Sequence, residues 1–551
     1  MTTDAGPNNE AEQRDTGQET DTEGGDAVST ADTAHPVGST DIGNTADTAT
    51  ATADNTAAAG HSAPAFDRLR RTNGWVRDRV GTATTVFLVL AGIFGIAWAT
   101  VTPSFWGHDE ITQFGRSYQV AHGGFLPQQI ADERDVAYGG DIPVAIDQLM
   151  RYALDDYNRR PPEPDPLASD PAGYRLLESA PVADTATEPM WFTNTAAYSP
   201  VPYVPAAVGI RLAGVLNLDV GTTILLTRLA GLLGYLIVVG FALRSLRGYR
   251  VQWLAFAVAV LPIAVFQAGT VTADTLTNAL AILVSCLLVK GLFLGDKLSR
   301  MEVAVTLAAT VALPLCKPTY VLLAVLTALI PARQYGFSAW RRWIPWFFAV
   351  LGAGLFAAWM KIAAPTGEGM GLMRPPDQWG SVRPGDQLDE ILHHPVTFAN
   401  TFVDSIWLRD HRWFMQFFGE LGFAYIDVPA ISVLACLLAF AMGLGIAERM
   451  TADRLRTWLV ALTILASVAM IYVTLYMSFT PVGFYLIDGV QGRYFVPLAI
   501  VAFAVLLRWM PWRLTAGRGA SPSRGPALVV AGATAVALTA AIVKYNSLVW
   551  G

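Results

Sequence analysis

The sequence predicts an all-α, polytopic membrane protein, and three observations predict it. Of 551 residues, 53% are hydrophobic and 15% charged, with a mean hydropathy of +0.38, whereas soluble domains carry about a quarter of charged residues. Apolar runs follow one another from residue 82 to residue 545, each at or near the length that crosses a hydrocarbon core. Basic residues gather in alternate connections between those runs, the pattern that sets orientation in a bilayer.

Residues 1–64 are Thr-, Ala-, Asp- and Gly-rich, with almost no aromatic or branched apolar side chains. Such a segment buries too little surface to offset its ordering entropy and is expected to be disordered. It has neither the basic start nor the apolar core of a signal peptide. A basic juxtamembrane segment over 65–81 follows, carrying Arg68, Arg70, Arg71, Arg77 and Arg79. The transmembrane domain then covers 82–545, beginning with a span over 82–101.

Later spans are expected near 222–243, 252–270, 273–294, 302–316, 318–332, 344–363, 430–446, 457–478, 495–510 and 527–545. The apolar stretch 203–218 decides the topology. As a span, it would turn the basic clusters at 244–250, 290–300, 333–342, 449–456 and 508–524 outward. As an interfacial helix, it leaves all of them cytoplasmic, in accord with the positive-inside tendency. The second choice gives 11 spans, with the N-terminus cytoplasmic and the C-terminus outside. It also places the long hydrophilic loops, 102–221 with its interfacial helix and 364–429, on the extracytoplasmic side.

Composition excludes several functions. The net charge of -7 gives no basic patch for nucleic acid. Cys286, Cys316 and Cys436 lie in or beside apolar runs and form no disulfide framework or metal spacing. No His-Glu-x-x-His pair or Walker-type loop occurs. His393 and His394 are adjacent, so they point to different faces of any helix.

Five polar motifs collect at the extracytoplasmic ends of the spans. His108-Asp109-Glu110 follows the first span and leads into Gln113, Arg116, Tyr118, Gln119 and His122 at helical spacing. A carboxylate there is suited to deprotonating a hydroxyl; equally, acids favour the start of a helix. A divalent cation, Mg or Mn, is a further candidate, with His108, Asp109 and Glu110 as its ligands. Asn194 to Tyr198, followed by Pro200, Pro202 and Pro205, reads as an extended aromatic segment, either a groove lining or a structural clamp. Gln267, Asp274 and Asn278 form a polar set, with Asp274 also placed to start a helix. Lys317 stands at an outer turn against the positive-inside tendency and calls for a phosphate, a carboxylate or snorkelling. Gln491 and Arg493 lie among glycines; the planar fork of arginine matches phosphate, and an interfacial anchor with Tyr494 is the plainer role. Arg228, inside a span, is expected to pair with an internal carboxylate.

The strings GHDEITQFGRSYQVAHGG, NTAAYSPVPYVP, LPIAVFQAGTVTADTLTNA, CKPTYV, FFGELGFAYIDVP and GVQGRYFVPL resemble, in order, those of the bacterial membrane family called domain of unknown function 2142. The first motif of that family usually reads Pro-Asp-Glu before a histidine and an arginine. Here Gly107-His108 precedes the acids and Gln113 or Phe114 stands where histidine is expected, while Asp109, Glu110 and Arg116 carry over.

The family in turn resembles the GT-C class of glycosyltransferases, multi-span enzymes with an acidic motif in the first external loop. The resemblance implies an inverting transfer from a polyprenyl-phosphate sugar to a cell-envelope glycan or lipid acceptor at the bacterial plasma membrane. It implies Asp109 or Glu110 as base, with Arg116, Lys317, Gln491 and Arg493 for substrate phosphate. His108, Asn194, Tyr198, Gln267, Asp274 and Asn278 would support them. The competing reading is a non-catalytic protein, a lipid-linked glycan translocator or an envelope-assembly partner, which would need a polar path across the bilayer.

Overall fold

The chain divides into two units, Met1–Ala63 and Pro64–Gly551. The computed structural model describes residues 81–132, 136–159, 166–182, 186–423, 425–510 and 524–551. The expectations for the tail 1–64, for the arginines from Arg68 to Arg79 and for most of the connection 508–524 lie outside the described residues.

The first apolar run forms helix α1 (Thr82–Val101), followed by α2 (Glu110–Ala121). The next hydrophilic segment is itself folded. Strands β1 (Gln129–Ile130), β2 (Ala137–Pro143) and β3 (Thr187–Trp191) make an antiparallel sheet in that order, with α3 (Val144–Arg159) and α4 (Pro171–Glu178) between β2 and β3. Residue patterning does not reveal this sheet, because Gly139 and Gly140 interrupt the alternation that marks a strand.

The Pro200–Pro205 stretch is helical and not extended. A 3-10 turn at Val201–Tyr203 runs into α5 (Val204–Val215), since proline in a first turn surrenders only an N–H that would have no helical partner. Helix α6 (Val220–Ser245) starts where the Asp219 carboxylate accepts from the Thr222 N–H at 2.7 Å. The expected span 252–270 is two buried helices, α7 (Gln252–Ala259) and α8 (Pro262–Ala268). Pro262 breaks it, because its ring excludes a continuous helical ladder.

Helix α9 (Asp274–Leu288) is the bundle's centre. In the apolar 18-residue stretch of its span, Asp274–Phe293, 83% of residues are buried, against 17% in the corresponding stretch of Ala339–Leu372. Then come α10 (Arg300–Cys316), opened by a Ser299–Glu302 capping box, α11 (Ile344–Ala363), α12 (Pro384–His393) and α13 (Pro395–Gly419). A two-stranded hairpin, β4 (Glu420–Leu421) and β5 (Ile426–Asp427), leads to α14 (Ala430–Ile446), α15 (Arg454–Ser478), α16 (Val496–Trp509) and α17 (Arg524–Val549).

Among the described residues, seven helices are long and apolar enough to cross a membrane, and they match seven of the eleven expected spans. The other four are the broken 252–270 and the shorter helical stretches Arg300–Cys316, Pro318–Leu329 and Ala430–Ile446. The stretch 203–218, expected as an interfacial helix, falls largely within the short apolar helical segment Val201–Val215.

Contacts sort the connections into two ends. At one, Glu448 meets Arg250, Lys290 pairs with Glu302 at 2.8 Å, and Arg508 donates to the Ala452 carbonyl. At the other, the segments after α1, before α9, after α10 and before α16 converge on the polar motifs.

Candidate active site

Of the two adjacent acids, Glu110 is the enclosed one. Its Oε1 accepts from Arg228 Nε at 2.8 Å and from the Val271 N–H at 2.9 Å; its Oε2 accepts from Arg228 Nη2 at 2.6 Å and from the Gly107 N–H at 2.9 Å. Both side chains are at most 3% exposed. Arg228 spends its remaining donors on the Ala99, Thr102 and Pro103 carbonyls, which the end of α1 leaves without helical partners. The pair thus staples α1, α2, α6 and the turn before α9 together, and the Glu110 carboxylate has no lone pair facing a cavity.

Asp109 has the opposite setting. It stands at the residue before α2, yet its side chain makes no capping hydrogen bond and its backbone is left-handed, φ 52° and ψ 21°. For a residue other than glycine that conformation carries about 1–3 kcal/mol of strain. The side chain is 41% exposed, with Oδ2 3.4 Å from Arg493 Nη2. A capping role therefore does not explain it.

Arg493 is 6% exposed, and its Nε lies 3.6 Å from Asp274 Oδ2. Neither Nε nor Nη1 has a hydrogen-bond partner among the described residues. The Lys317 ammonium donates to Asp274 Oδ1 at 2.5 Å and stands 4.3 Å above the Tyr494 ring. Gln267 Nε2 donates to Asp274 Oδ2 at 2.8 Å, and Asn278 Nδ2 donates to Gln267 Oε1 at 2.9 Å. Asp109, Arg493, Asp274, Lys317, Gln267 and Asn278 therefore form one continuous polar chain, built from four separate segments.

The other candidates divide. Arg116 is wholly buried and donates to Gln119 and to the Gly124, Phe125 and Tyr198 carbonyls, so it shapes its own loop. Asn194 donates to Thr112 at 3.1 Å, and its Oδ1 has no hydrogen-bond partner among the described residues. Tyr198 feels Lys317, Tyr494, Asp274 and Asp109, and burial pushes its phenol up to about 12. Gln491 is half-buried beside Arg493. His108 packs edge-on to Phe266, and its Nδ1 has no hydrogen-bond partner among the described residues. Burial, and then the Arg493 charge, holds its imidazole well below the usual range.

The expected metal ligands do not gather: Glu110 faces Arg228 and Asp109 faces Arg493. No group of three or more His, Cys, Asp and Glu forms a metal site among the described residues.

Two elements were missed by sequence reasoning. The β4–β5 hairpin docks on the acidic motif, with the Phe423 N–H donating to the Trp106 carbonyl at 2.8 Å. Gly422, at φ 70°, permits that approach, since a Cβ there would sit 2.5 Å from the same oxygen. Tyr425 is also left-handed, φ 54°, and feels Asp109 and Arg493. The second element is α13, whose Gln416 accepts from the Gly492 N–H at 2.9 Å. Gly492 must be glycine, because a Cβ would run into the Trp413 carbonyl. The FFGELGFAYIDVP string marked this region without indicating that it meets the acids.

Fold and site together define a helical polytopic membrane protein with a charged centre at one end of its bundle. The chain belongs to the predicted membrane protein family DUF2142, whose model matches residues 92–502. No curated protein matches it. Among solved structures it is similar to ArnT from Cupriavidus metallidurans bound to undecaprenyl phosphate, at 14% identity and a TM-score of 0.34, covering 86% of this chain and 76% of that one. A TM-score of 0.34 carries neither fold detail nor chemistry across.

Proposed function

We propose that this chain is an integral-membrane glycosyltransferase of the GT-C type. It moves a sugar from a polyprenyl-phosphate donor to a cell-envelope acceptor on the extracytoplasmic face of the bacterial plasma membrane. The observation that carries the reading is the buried Arg493 guanidinium, two of whose nitrogens make no hydrogen bond among the described residues, beside the accessible carboxylate of Asp109. A buried donor left unpaired costs about 1–3 kcal/mol, and a phosphate oxygen would satisfy it in the geometry arginine favours.

In this mechanism Asp109 accepts the proton of an acceptor hydroxyl as its oxygen attacks the anomeric carbon. The new carbon–oxygen bond forms on the face opposite the phosphate, inverting that centre. The bond from the anomeric carbon to the phosphate oxygen breaks, and its electron pair stays on the polyprenyl phosphate. Arg493 and Lys317 neutralise the charge that grows there, and Asp274 holds both cations in place. Glu110 has no proton-transfer role; with Arg228 it fixes the backbone that presents Asp109. The proton leaves Asp109 for water after the product departs.

The test is complementation of a strain lacking the chain, with envelope glycans read by mass spectrometry. Wild type is expected to restore a glycan that Asp109→Asn, present in the membrane at equal level, does not restore. General-base assistance is worth about 100- to 10,000-fold, so the loss should be near complete. Full restoration by Asp109→Asn would sink the catalytic reading and favour a translocator or assembly partner, which needs no base.

A further inference from the structure

We propose that α13 lies in the plane of the membrane at the headgroup boundary, with one side in lipid, and carries the Arg493 turn at that depth. This goes beyond the glycosyltransferase reading and stands or falls without it.

A membrane-crossing role for α13 is excluded by its own residues. Asp404, Arg409, Asp410, His411 and Arg412 occupy its middle, where several charges at bilayer depth would be prohibitive. Its ring contacts give its direction. Phe398 meets Tyr476 at 5.3 Å, Phe402 meets Tyr472 at 4.9 Å, and Trp413 meets the same Tyr472 at 5.1 Å. From Phe398 to Phe402 the two helices advance together, but from Phe402 to Trp413 α13 advances about 16 Å while its partner on α15 stays Tyr472. Helices lying side by side throughout would keep advancing equally. Hence α13 crosses the end of α15, and α15 is a helix of membrane-crossing length.

The helix has three faces, as the 100° step between residues sorts them. Ser405, Arg409, Trp413 and Gln416 share one and hold the segment before α16. Ser405 Oγ accepts from the Ile487 N–H at 2.8 Å, Arg409 donates to Asp488 at 2.7 Å, Trp413 Nε1 donates to the Val490 carbonyl at 2.9 Å, and Gln416 accepts from Gly492. Val396, Val403, Trp407 and Phe414 share a second face, turned away from the protein; Trp407 is 80% exposed and Val396 72%. Asn400, Asp404 and His411 form a third, polar face along one side of that stripe, and the exposed Asp410 borders its other side.

An exposed apolar stripe edged by polar residues, on a helix too charged to span, is the signature of an interfacial helix. Trp407 is the side chain that boundary favours most. The occupant of the stripe is the bilayer, because the helix rests on the end of a spanning element and so has lipid beside it. The bonds from the opposite face then set Gly492 and Arg493 at headgroup depth.

The experiment places a nitroxide at Val403→Cys, Trp407→Cys or His411→Cys in the full chain in lipid nanodiscs, with Leu465→Cys on α15 as the lipid-facing reference. The three native cysteines are buried, and unsubstituted protein measures their background. Collisions with oxygen and with a water-soluble nickel chelate are then read. Positions 403 and 407 are expected to favour oxygen several-fold more than 411 does, in the direction of 465. Nickel access at 403 and 407 equal to that at 411 would overturn the proposal by placing the stripe in water. Shielding of 407 from both reagents would overturn it too, by showing a protein surface, such as a second copy, over the stripe.

Discussion

Arg493 extends its Nη2 to within 3.4 Å of Asp109 Oδ2, while its Nε and Nη1 have no hydrogen-bond partner among the described residues. Long contacts to two acids, Asp109 at 3.4 Å and Asp274 at 3.6 Å, leave the guanidinium poised for an anion.

Arg493→Lys is therefore not conservative. A lysine keeps the charge but cannot offer the planar fork. If the proposed donor site holds, binding of a polyprenyl phosphate to purified protein should weaken about tenfold in Arg493→Lys and further in Arg493→Ala, on the scale of a charge-assisted hydrogen bond. Isothermal titration in nanodiscs measures this, and unchanged affinity in Arg493→Ala would remove the phosphate assignment.

The two acids should separate by phenotype. Arg228→Met strands the buried Glu110 carboxylate and should cost about 3–5 kcal/mol of stability. Asp109→Asn, at a half-exposed position, should change stability by about 0.5 kcal/mol or less. Unfolding midpoints of the two variants decide between the roles, and equal midpoints would contradict the division drawn between Glu110 and Asp109.

Gly492→Ala inserts a methyl group against the Trp413 carbonyl. Overpacking of this kind costs about 1–3 kcal/mol and should displace the Arg493 turn from α13. The expected result is weaker polyprenyl phosphate binding in a protein that still folds, whereas Gly214→Ala, which meets no atom within 4 Å, should bind as wild type does.

His108 makes the fold sensitive to acid. Its imidazole is held below its usual 6.5 by burial first and by Arg493 second. In the window between the lowered folded value and 6.5 the unfolded chain binds more protons, so stability rises with pH there. The contribution is complete above about pH 6.5 and is lost as pH falls towards the folded value. Melting temperatures from pH 7.5 downwards should fall in wild type and fall less in His108→Gln.

Much of this was legible in the chain. Apolar run length marks helices because every backbone polar group in lipid must bond within its own segment, and seven expected spans are helices of crossing length. The polar motifs could be gathered to one end from the alternation of basic connections alone. The division within 252–270 also had a visible cause in Pro262. By contrast, the 102–221 loop gave no sign of its sheet, whose glycine-bearing central strand lacks alternation.

The sequence by itself determined that helices would cross a membrane and that Asp109, Lys317 and Arg493 would stand at helix ends, since hydropathy and charge are local properties. It could not determine which of Asp109 and Glu110 is available. They are neighbours in the chain, and only the approach of Arg228, 118 residues away, encloses one and leaves the other beside Arg493. That choice belongs to tertiary structure, because burial and partnership of a charge depend on what arrives from distant segments.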